Sequence, residues 1–176
     1  MIIDILLGFF VLLAIFLIVV TLQPTNFRIT RSATLPAPPA TVFAEVNDFH
    51  RWEAWSPWAR LDPHANNSYA GMSSGEGAMF SWEGNNKVGA GRMTLIDSHP
   101  DELIRIKLEF FKPFEAVHTS EFTFAPADAG TLVTWTMSGK NSFLAKAMTL
   151  VMNCDKMVGG QFEKGLDNLR AVVAAP

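Results

Sequence analysis

Three polar side chains stand beside apolar ones in a pattern that could support acid–base chemistry. Glu83 follows Trp82, His118 shares a strand face with Phe122, and Asp155 interrupts the apolar stripe of a helical segment. Burial in an apolar cavity shifts the pKa of a carboxylate or an imidazole and so tunes it for proton transfer. Lone polar groups among aromatic residues are more often satisfied structural groups, and we therefore expect none of the three to be catalytic.

Other patterns that carry chemistry lack their required context. Gly71-Met-Ser-Ser-Gly75 fits the Gly-x-Ser-x-Gly pattern of hydrolase nucleophiles, which needs a strand before the serine and a helix after it. A predicted strand follows this segment, which favours a loop of small residues. The four histidines and the single Cys154 lack the spacing of a metal site. We expect no nucleophile, no metal and no cofactor.

The first 22 residues differ from the rest of the chain. Ile5–Leu22 contains no charged residue, and a helix over Ile2–Leu22 spans roughly 30 Å, the thickness of the hydrocarbon core of a bilayer. A cleaved signal peptide would carry basic residues at its start and small residues at its end, and a core helix would show a polar stripe. We predict a single-pass membrane anchor over 1–23, with the cleaved signal and the core helix as the alternatives.

The side of the membrane is suggested only by two arginines. Arg28 and Arg31 are the first basic residues after the apolar segment, and none precedes it. The positive-inside rule therefore favours a cytoplasmic domain, while so few charges leave the opposite topology open.

Composition limits the nature of the part that follows the anchor. Residues 24–176 are enough for one domain with a real core. The net charge of −3 and the scattered lysines and arginines exclude a nucleic-acid-binding face. One cysteine cannot form an internal disulfide. Fourteen Phe, five Trp and eight Met supply bulky apolar surface, some of which could line a cavity.

The elements expected to position these residues follow from hydrophobic periodicity. Alternation predicts a strand over Phe27–Thr34, followed by short helices over 39–47 and Phe49–Trp55. Further alternating segments, separated by turn residues, predict an antiparallel meander. These segments are 68–71, 77–83, 91–97, 103–111, 117–124 and 131–138. From Phe143 to Val173, apolar residues recur every three or four positions, which predicts one long amphipathic helix.

These elements predict an α+β domain in which a curved antiparallel sheet wraps around the long C-terminal helix. An apolar sheet face needs a cover, and only this helix is long enough to provide it. A cavity between sheet and helix is therefore expected. Gly159, Gly160 and Gly165 lie within the helix, where close packing against the sheet or a bend is favoured over space left for a ligand.

Several segments carry a family resemblance. They are Pro38–Phe43, Asn47–Trp58, Gly75–Gly84, Gly89–Met93, Thr134–Gly139, Asp155–Gly159 and Phe162–Gly165. Together with the order of elements, they resemble the SRPBCC superfamily of START-like, Bet v 1-like helix-grip proteins, and within it the membrane-anchored bacterial polyketide cyclase/dehydrase-like branch. The resemblance implies the helix-grip fold. Its members include lipid and sterol carriers, hormone binders, cyclases and chaperone co-activators, which share a cavity rather than a catalytic motif.

The sequence and the resemblance together favour a membrane-tethered domain that binds a hydrophobic small molecule or lipid in an internal cavity. A polyketide cyclase/dehydratase-type enzyme and a chaperone-like interaction module are the alternatives. The expected partners are that ligand and the bilayer, with no nucleic acid. The expected ligand-binding residues lie on apolar strand faces, beside them, or on the C-terminal helix: Phe80, Trp82, Glu83, Phe110, His118, Phe124, Trp135, Met148 and Phe162.

Overall fold

The structure is a computed structural model that describes residues 2–175; Met1 and Pro176, at the outer limits of the two predicted regions, lie outside it. Helix α1 spans Ile2–Leu22. The strands are β1 Asn26–Leu35, β2 Asn66–Gly71, β3 Ala78–Glu83, β4 Ala90–His99, β5 Leu103–Lys112, β6 Ala116–Ala127 and β7 Gly130–Lys140. The remaining helices are α2 Pro39–Asn47, α3 Trp52–Trp55, α4 Phe143–Thr149 and α5 Cys154–Ala174, with a 3-10 turn at Phe49–Arg51.

The seven strands form one antiparallel sheet in the order β1-β7-β6-β5-β4-β3-β2. Strands β2 to β7 follow one another as the predicted meander, and β1 pairs with β7 at the opposite edge from β2. The expected α+β class is confirmed, with a curved sheet, a long C-terminal helix and an apolar N-terminal helix.

The strand ends and turns of the sheet lie at two opposite ends, which we name for reference. We call the end at which β1 begins the linker end, because residues 23–25 link α1 to β1 there. The pairing of Asn26 with Lys140 places the end of β7 at the same end. The turns 84–89 and 113–115 lie at this end, because the strands alternate in direction. The far end carries the turns 72–77, 100–102 and 128–129.

The prediction of one continuous helix over Phe143–Val173 is wrong, since the structure contains α4 and α5 with residues 150–153 between them. Each helix has its own N-cap. The Ser142 hydroxyl accepts from the amide of Ala145, and the Asn153 side chain accepts from the amide of Lys156. The break is not visible in the sequence, because Leu150, Val151 and Met152 between the helices continue the helical spacing of apolar residues.

Aromatic stacking joins α5 to the sheet. The Phe162 ring lies 4.2 Å from the Trp135 ring at an interplanar angle of 8°, and Trp135 stacks in turn on Phe122 at 4.6 Å. All three residues are buried. A Cβ on Gly165 would lie 2.7 Å from Cζ3 of Trp135, so this glycine allows the helix to approach the indole. The interior is therefore filled where α5 crosses the sheet.

An ion-pair cluster fixes the same helix to the edge strand. Arg31 of β1 points toward α5, where its guanidinium donates to the carboxylates of Asp155 at 2.9 Å and Glu163 at 2.6 Å. Gly159 lies between these two acids, and a Cβ there would collide with the guanidinium. The hydrogen bond to Arg31 lowers the pKa of Asp155, which places this candidate acid in a structural ion pair.

Two glycines of α5 make a matched test of this packing. Gly165→Ala is expected to lower the free energy of unfolding by about 1–3 kcal/mol, because the new methyl group overpacks the buried Trp135. Gly160→Ala is expected to raise it by up to ~1 kcal/mol, because no atom lies within 4 Å of the added Cβ and alanine favours the helix. Urea unfolding of the detergent-solubilised chain measures both; equal effects of the two substitutions would contradict the packing described here.

Candidate functional site

A row of half-buried rings crosses the concave face near the linker end of the sheet. We call this set the aromatic row: Phe27, Phe80, Trp82, Phe110 and His118. Ring centroids are 6.1 Å apart for Phe80 and Trp82, 6.0 Å for Trp82 and Phe110, 5.7 Å for Phe110 and His118, and 4.9 Å for His118 and Phe27. The row therefore extends from β3 near one edge of the sheet to β1 at the other.

The strand period and two glycines place these rings on one face. Side chains alternate between faces along a strand, so Phe80 and Trp82 point the same way along β3. Opposite Trp82 stands Gly91, where a Cβ would lie 2.5 Å from the indole. Opposite His118 stands Gly139, where a Cβ would lie 2.6 Å from the imidazole. Larger residues at either glycine would displace the rings of the row.

His118 is the polar member of the row. Its Nδ1 is buried and has no hydrogen-bond partner among residues 2–175. Burial lowers the pKa of the imidazole below its ordinary value, which keeps the ring neutral at pH 7. An unpaired buried polar atom costs about 1–3 kcal/mol, so the row contains one site at which a hydrogen bond would be strongly favoured.

Trp82 is held in a fixed orientation at the linker end. Its Nε1 donates to the carbonyl of Val88 at 3.0 Å, which ties the ring to the turn between β3 and β4. The neighbouring Glu83 points away from the row and pairs with Lys112 Nζ at 2.6 Å. This contact lowers the pKa of Glu83, and the pair borders a shallow surface depression of ≈ 370 Å³.

The nine residues predicted to bind a ligand fall into separate places. Phe80, Trp82, Phe110 and His118 come together in the aromatic row. Phe124, Trp135 and Phe162 lie in the filled core, where none is more than 5% exposed. Glu83 is paired outside the row, as described above, and Met148 is on α4, which contacts α1. The nine residues therefore do not surround a single enclosed space.

Sequence reasoning missed one member of the row. The sequence predicts Phe27 only as the first residue of a strand, and the structure places it on the inner face, two residues before the buried Ile29. Its ring packs edge-on against His118. Its position beside His118 depends on the pairing of β1 with β7, which the sequence of β1 alone does not reveal.

Solved structures similar to this chain share its fold at low sequence identity. Protein CV1439 from Chromobacterium violaceum is 17% identical, with 87% of this chain and 100% of that chain covered and a TM-score of 0.60. The di-domain ARO/CYC BexL from the BE-7585A biosynthetic pathway is 18% identical, with 90% and 53% covered and a TM-score of 0.63. The Aha1 dimer from Colwellia psychrerythraea is 11% identical, with 84% and 96% covered and a TM-score of 0.59.

Comparison with curated protein sequences gives no significant match. A family model, by contrast, matches residues 26–174, which are nearly all of the chain after α1. That family is described as polyketide cyclase / dehydrase and lipid transport. The chain belongs to the polyketide cyclase/dehydrase and lipid transport family, and its fold is the one that the sequence resemblance implied.

Proposed function

We propose that this protein is a membrane-tethered binding domain that holds a hydrophobic small molecule or lipid against the aromatic row. The observation that carries the proposal is the unpartnered Nδ1 of His118 in the middle of half-buried rings. A surface of this kind is suited to an apolar ligand with one polar group. The family description, which includes lipid transport, supports the same class of ligand.

The energetics of the row favour such a ligand. Covering about 200 Å² of apolar ring surface contributes roughly 5 kcal/mol, before the cost of immobilising the ligand. His118 Nδ1 is buried, so a hydroxyl, carbonyl or carboxyl group reaches it only when the flanking rings of Phe27 and Phe110 move apart. The hydrogen bond formed there removes the cost of the unpaired atom. Apolar area therefore provides affinity, and His118 orients the ligand.

The arrangement of the titratable groups favours binding over acid–base catalysis. Asp155 is held by Arg31, and Glu83 is held by Lys112 on the other side of the sheet from the row. His118 is flanked by the rings of Phe27 and Phe110. The role proposed for His118 is hydrogen bonding to the ligand rather than proton transfer.

The proposed tether is α1. Among residues 2–175 it is the one helix long and apolar enough to cross a membrane, a property that signal sequences share. Only Val20 is buried within it, which argues against a role as a core helix. Apolar ligands partition into the bilayer beside such a tether.

Phe110 and Phe111 form a matched pair for testing the ligand site. Phe110 belongs to the row, whereas Phe111 points outward, with the Arg92 guanidinium 5.8 Å from its ring. Phe110→Ala should weaken binding of parinaric acid, a fluorescent fatty acid, by about tenfold or more, equivalent to ~1.4 kcal/mol. Phe111→Ala should leave the Kd unchanged.

Energy transfer from tryptophan to parinaric acid in the detergent-solubilised chain gives both Kd values. The ligand-site proposal fails if the two variants bind equally well, or if the unchanged chain shows no saturable binding of any apolar probe.

His118 should make stability depend on pH. Its pKa is lowered in the folded chain, so the unfolded chain binds a proton more readily. As pH falls below about 6.5, the ordinary pKa, folding should therefore lose stability, and the loss should level off below the folded-state pKa. His118→Asn should remove this component, while replacement of the exposed His64 by Asn should retain it. Thermal unfolding followed by tryptophan fluorescence measures the profiles; identical profiles for His118→Asn and the unchanged chain would refute the assignment.

The tether makes a separate prediction. The full chain should stay with membranes after carbonate extraction, because 21 helical residues of α1 lie in the hydrocarbon core. Deletion of residues 1–23 should give a soluble, folded domain, as judged by circular dichroism and a cooperative melt. Release of the full chain by carbonate, or failure of the truncated chain to fold, would count against the tether.

A further inference from the structure

A short, fixed linker joins α1 to the linker end of the sheet. Only residues 23–25 separate Leu22 from Asn26, so the two can be at most ~14 Å apart. The linker is also bonded to the domain. The amide of Asn141 donates to the Thr25 carbonyl at 2.7 Å, and Lys146 Nζ donates to the Thr25 hydroxyl at 2.9 Å. If α1 crosses a bilayer, the linker end of the sheet must lie close to the surface of that bilayer.

Exposed apolar side chains collect at this same end. We define the apolar rim as Phe114 and Val117 of the β5–β6 hairpin with Phe143 and Leu144 at the start of α4. They are 56%, 59%, 52% and 44% exposed, respectively. Two inter-strand steps separate β5 from β7, the strand that precedes α4, so the ends of these two strands are roughly 10 Å apart. Single exposed apolar residues are ordinary, but a group at one end of a domain marks an interaction surface.

Charge differs between the two ends of the sheet. Four lysines lie at or near the turns of the linker end, at Lys87, Lys112, Lys140 and Lys146. The acids there are Glu83, Glu115 and Asp62, whose carboxylate accepts from the amide of Asn85. The three turns of the far end contain Glu76, Asp101, Glu102 and Asp128, with no lysine or arginine. Anionic lipid headgroups attract the linker end and repel the far end.

We propose that the apolar rim lies in the headgroup region of the bilayer that α1 crosses, so that the linker end of the sheet rests on the membrane. This inference depends on the tether of the proposed function. Aromatic and aliphatic side chains flanked by lysines are the composition that interfacial segments use. The rim needs no second protein to cover it.

Docking of the rim has a consequence for the ligand. The aromatic row lies near the linker end, where Trp82 is bonded to the 84–89 turn and Phe110 precedes the β5–β6 hairpin. With the rim on the membrane, an apolar ligand passes between the acyl chains and the row without crossing bulk water.

Site-specific quenching in vesicles tests the docking. Single cysteines are introduced by Phe114→Cys, Phe143→Cys or Asp128→Cys into the full chain carrying Cys154→Ala, and each is labelled with an environment-sensitive fluorophore. The vesicles contain phosphatidylcholine and phosphatidylglycerol, with spin-labelled acyl chains as quenchers. The emission of the labels at 114 and 143 should shift to shorter wavelength and be quenched by the spin labels. The label at 128, in a far-end turn, should do neither.

The outcomes separate the rim from the tether. Carbonate extraction of the same vesicles is done first, and loss of the chain at that step refutes the tether. A retained chain whose label at 114 behaves like the label at 128 overturns the rim, whatever the label at 143 shows. Self-quenching between labels at 114, without quenching by lipid, would assign the rim to a second copy of the chain and would also overturn the proposal. Val117→Cys repeats the measurement should Phe114→Cys fail to fold.

Discussion

The stacking of Phe162 on Trp135 determines how the rest of the molecule can work, because it fixes where α5 crosses the sheet. The contact at 4.2 Å, with Gly165 giving the helix access to the indole, fills the interior on that side. The Arg31 cluster holds the same helix against β1. With α5 fixed in this way, the rings of the aromatic row remain half-buried rather than enclosed.

The concave face is divided between buried rings and partly exposed rings. The buried rings are committed to stability, since replacing any of them would open a void in a packed core. The rings of the row are partly exposed, and His118 Nδ1 among them has no hydrogen-bond partner within residues 2–175. Solved structures that share this fold include both ARO/CYC proteins and an Aha1 dimer, so the fold itself does not specify an activity.

Much of the fold could be predicted because apolar and polar side chains alternate regularly along its strands. The inward side chains of β5, such as Ile104 and Ile106, are apolar at every second position, which fixes the strand and its buried face. The break between α4 and α5 could not be predicted from periodicity, since Leu150 and Met152 continue the apolar pattern. The break is marked only by Asn153, whose side chain caps the N-terminus of α5.

The site was harder to predict than the fold for a related physical reason. Periodicity shows which residues face inward, but it does not show which of them the helix covers. Phe124 and Phe110 look equivalent in sequence, yet one is in the filled core and the other is in the aromatic row. That distinction depends on α2, which is distant in sequence from β6 and whose Phe43 ring packs edge-on against Phe124 at 5.6 Å.

The most direct test of the central claim is native mass spectrometry of the full chain, released from detergent and compared with the Phe110→Ala variant. The account predicts a co-purifying apolar small molecule on the unchanged chain, reduced on the variant and lost when the chain is unfolded. A single ligand-free mass for the unchanged chain, even after incubation with lipid extract, would contradict the claim that the aromatic row is a binding site.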